Sequence, residues 1–197
     1  MPRDYATQPP AAVRRADRAV ADDAWIRATL HAAAWGTLAT VHDGQPFLNS
    51  NLFVYDEARH ALYLHTARVG RTRANVDAGA AGAPVCFGVF AMGRMLPADE
   101  ALEFSVEYEG VTVFGTARVV TEAAEAEHGL QLLLDKYAPH LRPGRDYRGI
   151  TADELRRTAV YRVDVESWAG KKKEAPADFP GAFRYEAPPV TSPPDAP

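Results

Sequence analysis

The stretch of this chain best equipped for chemistry is Leu62–Val76, which reads LYLHTARVGRTRANV. Leu62 and Leu64 alternate with Tyr63 and His65, the two-residue period of a half-buried strand. The run then passes a turn of small residues around Gly70 into a helical stretch from about Val69 to Val76. Three guanidinium groups, Arg68, Arg71 and Arg73, crowd that junction. A helix start offers unpaired backbone N–H donors and the positive end of the peptide dipoles, and a planar guanidinium grips two phosphate oxygens at once. With Thr66 and Thr72 as hydroxyl donors, the junction suits a phosphate. The same arginines suit a solvated helix face, and this segment alone leaves both readings open. His65, on the strand just before the turn, can donate a hydrogen bond or shuttle a proton near neutral pH, although a lone strand histidine is commonly a packing residue.

Other chemistries lack their residues. The remaining five of six histidines show no metal-ligand spacing, and neither G-x-S-x-G nor G-x-G-x-x-G occurs. Cys86 is the only cysteine and sits in the apolar run Val85-Cys86-Phe87, which excludes an internal disulfide and a multi-cysteine metal site and reads as a structural thiol. Twenty-two basic against 26 acidic side chains give a net charge of -4, so no global positive field draws the chain to nucleic acid or an anionic membrane. No apolar run approaches membrane-spanning length and residues 1–12 lack a leader's basic start, so the expected location is cytoplasmic.

The elements that must position these groups follow from periodicity. With 47% hydrophobic and 24% charged residues, 197 residues make one domain with loose ends. Residues 1–12 and 176–197 are assigned as tails, the second most plainly from Ala187 onward, and 13–175 as the folded domain. Asp22 or Asp23 caps a first helix with Ile26, Leu30 and Ala33 on one face. Gly36–Val41, the turn His42-Asp43-Gly44-Gln45 and a longer strand Pro46–Tyr55 form a hairpin. Strands follow at Ala61–Thr66 and Pro84–Met92, then an insertion, Gly93–Leu102, whose Arg94, Met95 and Leu96, with Met92 just before it, are placed to lid a pocket. A long strand Phe104–Val120, bent at Gly110 or Gly115, precedes a helix capped by Thr121 with a stripe of Ala126, Leu130, Leu133 and Tyr137. Thr151-Ala152-Asp153-Glu154 is a capping box, and the last strand is Ala159–Trp168. About six strands with peripheral helices and no βαβ alternation predict a mainly β fold, a closed or partly closed antiparallel barrel.

In order and spacing, Gly36-Thr37-Leu38-Ala39-Thr40, Gln45-Pro46, Phe53-Val54-Tyr55, His65–Asn75 and Val113-Phe114-Gly115 resemble the pyridoxamine 5'-phosphate oxidase-like, FMN-binding split-barrel superfamily. The resemblance spans roughly Arg14–Glu174 and is closest to the nitroimidazole-reductase branch. It implies a six-stranded, Greek-key-like split barrel that dimerises with FMN held between subunits. It implies that Asn49, Ser50, Asn51 and Leu52 line the isoalloxazine ring and that Arg71 binds the phosphate, with Thr66, Ala67, Gly70 and Thr72 beside it. It also implies that His65 lines the flavin pocket and that Trp168 to Lys171 close over the site, bringing Trp168 and Lys171 to the cofactor. Three positions depart from the family pattern: Thr72 where many relatives have lysine, Ser50 where they often have proline, and GKKKE at 170–174, which lacks the substrate-recognising arginine and histidine. Oxidation of a vitamin B6 phosphate is therefore not expected.

The expected activity is an FMN-dependent oxidoreductase, with the flavin supplying the redox chemistry, NAD(P)H as electron donor, a small organic acceptor such as a nitroaromatic, and His65 as candidate catalytic residue. The alternatives are a flavin-storing or flavin-sensing protein, the same barrel holding haem or a deazaflavin, and a structural barrel.

Overall fold

The structure, a computed structural model, describes residues 4–77 and 81–187. Among these, nine strands form one sheet: β1 (Ala19–Val20), β2 (Gly36–His42), β3 (Gln45–Asn51), β4 (Phe53–Asp56), β5 (Ala61–Ala67), β6 (Ala83–Leu96), β7 (Ser105–Val119), β8 (Thr158–Lys173) and β9 (Phe183–Arg184). Four α-helices flank it: α1 (Asp23–Ala32), α2 (Arg71–Asp77), α3 (Ala123–Tyr137) and α4 (Ala152–Arg157). The order across the sheet is β3-β2-β6-β7-β8-β5-β4, with β1 on β8 and β9 on β6, and all pairings are antiparallel.

The two edges of this path, β3 and β4, are consecutive in the chain and part at Leu52. The sheet therefore wraps into a barrel split along one seam. A single strand over Pro46–Tyr55 is thus corrected to two. Its first half is held to β2 by the tight Asp43-Gly44 turn, both residues at positive φ, and its second half pairs with β5. No one straight strand can serve both edges.

Leu38, Phe53, Leu62, Leu64, Phe87, Val111, Val113, Tyr161 and Val163 fill the barrel, and Ile26 and Leu30 of α1 join the same core. On the outside, Ala126 and Leu133 of α3 pack on Val54, Tyr63 and Val160. Both faces of β5 are consequently covered, so Ala61–Leu64 is buried throughout instead of alternating. Asp22 caps α1 by accepting from the Ala24 N–H, and Thr151 and Glu154 form the expected capping box. Thr121 does not cap α3: Glu122 holds that position without a side-chain bond.

Two further expectations change. The Gly93–Leu102 insertion starts as a continuation of β6, which stays paired to β7 as far as Leu96 beyond a bulge between Met92 and Met95. Its Arg94 forks onto Glu107 and also donates to the carbonyls of Ala175, Pro176 and Ala177, so it anchors a return of the chain rather than lidding a pocket. For the same reason the start of the expected 176–197 tail is ordered: β9 pairs with Arg94 and Met95. Residues 1–3 and 188–197 of the expected tails lie outside the described residues. At Gly115 the β7–β8 register shifts by one residue, with Glu166 of β8 bulging, and a Cβ there would lie 2.0 Å from the Asp164 carbonyl oxygen.

Candidate functional site

The seam is where the barrel leaves main-chain groups unpaired. β5 pairs with β8 along Ala61–Ala67 but with β4 only through Leu64, so His65–Ala67 present a free edge. β3 is bonded to β2 alone and presents another along Asn49–Asn51. Asn51 spans the gap, its Nδ2 donating to the His65 carbonyl at 3.3 Å, while its Oδ1 is buried with no hydrogen-bond partner. Such an orphaned acceptor costs about 1–3 kcal/mol, which a ligand donor relieves.

Behind the seam, side chains clamp α2 onto the barrel. Asn49 Nδ2 donates to Thr72 Oγ1 at 3.0 Å, and Asn75 Nδ2 to Thr40 Oγ1 at 2.8 Å, with Thr40, Thr72 and Asn75 all buried. Thr72 thus faces inward rather than toward a phosphate, and its hydroxyl serves packing. Thr66 is likewise occupied, donating to the Ala67 carbonyl and sharing a 2.9 Å bond with the Tyr161 hydroxyl. Gly70, at φ +140°, turns the chain from β5 into α2, and its carbonyl accepts from Ala74.

The three arginines separate into distinct roles. Arg68 donates to the Arg156 carbonyl at 2.7 Å, and Arg73 pairs with Asp77 one turn on. Arg71, exposed as the first residue of α2, has no side-chain hydrogen bond or ion pair among the described residues. Because α2 has only seven residues, its dipole adds little, and the exposed Arg71 guanidinium is the junction's candidate anion-binding group.

Other expected site residues lie elsewhere. Ser50 is on the outer sheet face, 3.0 Å from the Thr37 hydroxyl, away from the inward Asn49 and Asn51. Trp168 and Lys171 do not form a closing segment within this chain, because β8 runs through both as ladder residues opposite Val113 and Gly110. The Trp168 indole donates to Asp23 and packs edge-on against His60 and Tyr55, and the Lys171 ammonium sits 5.7 Å from the Tyr108 ring centroid.

Next to the seam lies a pocket of about 380 Å³ that the motif reading missed. Leu52 and His65 form its seam side, α3 supplies Leu130, Leu133, Leu134 and Tyr137, and the segment before α4 supplies Tyr147 and Ile150. The signal was the breadth of the α3 stripe, since Leu134 extends it past the face needed to cover Tyr63. His65 keeps more than a third of its surface open, yet the protein around it lowers its pKa by desolvation, which keeps the ring neutral at pH 7. The Tyr137 hydroxyl closes the seam's end: it accepts from the Phe53 N–H at 3.1 Å and faces the Phe53 and Ala34 carbonyls.

An antiparallel barrel split between two halves of one strand segment, with a polar seam beside a strand-to-helix arginine, defines the pyridoxamine 5'-phosphate oxidase-like split-barrel class. The family described as pyridoxamine 5'-phosphate oxidase matches residues 22–172, and the chain belongs to it. No curated protein matches the sequence. Among solved structures, the flavocytochrome Anf3 from Azotobacter vinelandii is similar with a TM-score of 0.71 at 22% identity, over 94% of this chain and 91% of that one. The FAD and heme binding protein from Mycobacterium smegmatis gives a TM-score of 0.70 at 24% identity, over 91% of each chain. A Bacteroides thetaiotaomicron structure described as a 5-nitroimidazole antibiotic resistance protein gives 0.63 at 18% identity, over 78% of this chain and 86% of its own. Among the described residues, no helix is long and apolar enough to cross a membrane.

Proposed function

We propose that this chain is a flavin-dependent oxidoreductase that holds FMN along the seam, takes electrons from NAD(P)H and passes them to a small organic acceptor, nitroaromatics included. The observation that carries the reading is the unpaired Arg71 guanidinium beside two free strand edges and the orphaned Asn51 Oδ1. FMN has a phosphate for the first, ring carbonyls and nitrogens for the second, and the one N–H of its oxidised ring for the third. When bound, the flavin supplies the redox chemistry. Arg71 grips its phosphate, the main chain of Asn49–Leu52 and His65–Ala67 orients its ring, and neutral His65 offers a hydrogen bond at the acceptor's side.

The working unit in this reading is a homodimer. Across β3, β2, β6, β7 and β8, the outer-face rows Leu48-Ala39-Cys86-Phe114-Ser167 and Ser50-Thr37-Gly88-Thr112-Ala169 carry no charge, as suits a face covered by a second copy. Of the two β8 residues expected at the cofactor, Lys171 lies on this same face, two positions beyond Ala169, so a second copy would bring it toward the partner's flavin, whereas Trp168 is turned to the other face by its bond to Asp23.

Arg71→Ala tests the reading. Loss of a charge-assisted bond of about 1.5–3 kcal/mol should weaken FMN roughly ten- to a hundredfold and leave riboflavin, which has no phosphate, almost unchanged. Fluorescence titration of apoprotein measures both, and equal weakening of the two flavins refutes the phosphate role. FAD titrated in parallel shows whether the site prefers the dinucleotide. A second reading adds a haem to the barrel. It draws on the likeness to the flavocytochrome and to the FAD and heme binding protein, which extends over 94% and 91% of this chain. A Soret band in the purified protein supports that reading, and a flavin spectrum alone removes it.

A further inference from the structure

The pocket beside the seam has walls of Leu52, Leu130, Leu133, Leu134, Tyr137 and Ile150, and its volume of about 380 Å³ falls within the range of small-molecule sites. Leu52 is 51% exposed and Leu134 36%, so its mouth leaves large apolar groups facing water.

Its polar groups are nearly all committed. The Arg148 guanidinium pairs with Glu154 at 2.9 Å, and Glu154 also accepts from the Thr151 N–H in the capping box. The Tyr147 hydroxyl accepts from Gln131 at 3.0 Å, and the Tyr137 hydroxyl is held by Phe53 and Ala34. What remains is the Tyr147 hydroxyl proton, since that oxygen only accepts, and the His65 imidazole, which has no hydrogen-bond partner among the described residues.

This inventory sets the ligand's charge. A carboxylate or ammonium entering the pocket would give up hydration against the leucine walls and meet only the Arg148–Glu154 pair at the rim, whose charges already answer each other. A neutral molecule pays no such penalty, and one carrying a carbonyl gives the imidazole N–H its acceptor. We infer that this pocket binds an uncharged aromatic carbonyl compound, with the ring against the α3 leucines and the carbonyl on His65. As a binding site it stands on the pocket alone; as the seat of the electron acceptor it rests on the flavin reading above.

The test uses the full-length protein with two probes that share one ring system, 2-acetonaphthone and 2-naphthoate, titrated by calorimetry at pH 7.5. The ketone is expected to bind at least tenfold more tightly than the carboxylate. His65→Phe should weaken the ketone about tenfold. Leu134→Trp, which fills the mouth from a half-open position, should abolish ketone binding while FMN affinity stays within twofold, and Ile150→Trp repeats this from the opposite wall should the first variant fold poorly. Equal affinity for the two probes, or ketone binding unaffected by both tryptophans, overturns the inference. Parallel loss of FMN and ketone also overturns it, since the pocket would then be the flavin's own seat. Ketone binding as expected in a protein that takes up no flavin supports the pocket and refutes the flavin reading.

Discussion

Tyr137 ties together the place where the chain changes sheet edges, and removing its hydroxyl isolates what that tie is worth. The Phe53 N–H donates to Tyr137 Oη at 3.1 Å, and the hydroxyl proton has the Ala34 carbonyl at 2.8 Å and the Phe53 carbonyl at 3.0 Å to choose from. Phe53 is fully buried on an edge strand, so in Tyr137→Phe its N–H and one carbonyl lose their partner with little access to water. The ring and its apolar contacts stay. Stranding buried main-chain groups costs about 1–3 kcal/mol, so a loss of about 2 kcal/mol is expected. For a domain of this size, 1 kcal/mol moves Tm by about 2–4 °C, and the variant should melt about 4–8 °C lower. Urea unfolding should show a lower midpoint with an unchanged m-value. Tyr147→Phe is the control, because its hydroxyl only accepts from the side chain of Gln131, which also bonds Asp135. A loss below about 0.5 kcal/mol in Tyr137→Phe, or one no larger than in the control, refutes the claim that this hydroxyl holds the seam.

Thr72→Lys, the change that would restore the lysine of many relatives, should destabilise by at least about 2 kcal/mol without tightening FMN, because position 72 is buried and Asn49 would lose its acceptor; a stable variant with higher FMN affinity would show that the side chain can turn outward. Lys136 lies 4.0 Å above the Phe53 ring, and burial pulls its pKa down from 10.5 to about 8. Between those values the unfolded chain holds more protons than the folded one, so this group makes stability rise with pH from about 8 to 10.5. Lys136→Met should abolish that rise in urea midpoints measured at pH 7, 8.5 and 10, and identical pH profiles would refute the assignment. The Glu107 carboxylate is held at about 2 by its bonds from Arg94 and from the Ala175 N–H. A folded pKa below the ordinary 4.5 means its stabilisation is complete above about 4.5 and lost as pH falls toward 2. Glu107→Gln should therefore speed proteolysis within residues 176–184 at pH 7, and unchanged cleavage would show that β9 is held by other contacts.

Several elements were legible in the sequence because their causes lie within a few residues. Asp22 caps α1, Asp43-Gly44 turns β2 into β3, and Thr151 and Glu154 box α4, each through contacts over at most four positions. The strand-to-helix junction at Gly70 and the candidate Arg71 were visible for the same reason. Tertiary structure decided which way their neighbours face. Thr72 turns inward because Asn49, 23 positions earlier, meets its hydroxyl, and Trp168 stays in the β8 ladder because Asp23, 145 positions earlier, accepts from its indole. The break at Leu52 has the same origin: residues 45–51 and 53–56 are both good strand sequence, and only their pairing to β2 on one side and β5 on the other splits them. The pocket at His65 needs three elements, the end of β5, the far half of α3 and the segment before α4, which only meet once the barrel has wrapped. Propensity, caps and turns are local free energies that a short window of sequence states outright. Edge pairing, side-chain facing and cavities are set by which distant surfaces bury each other, and one strand segment read alone is the same whichever edge it joins.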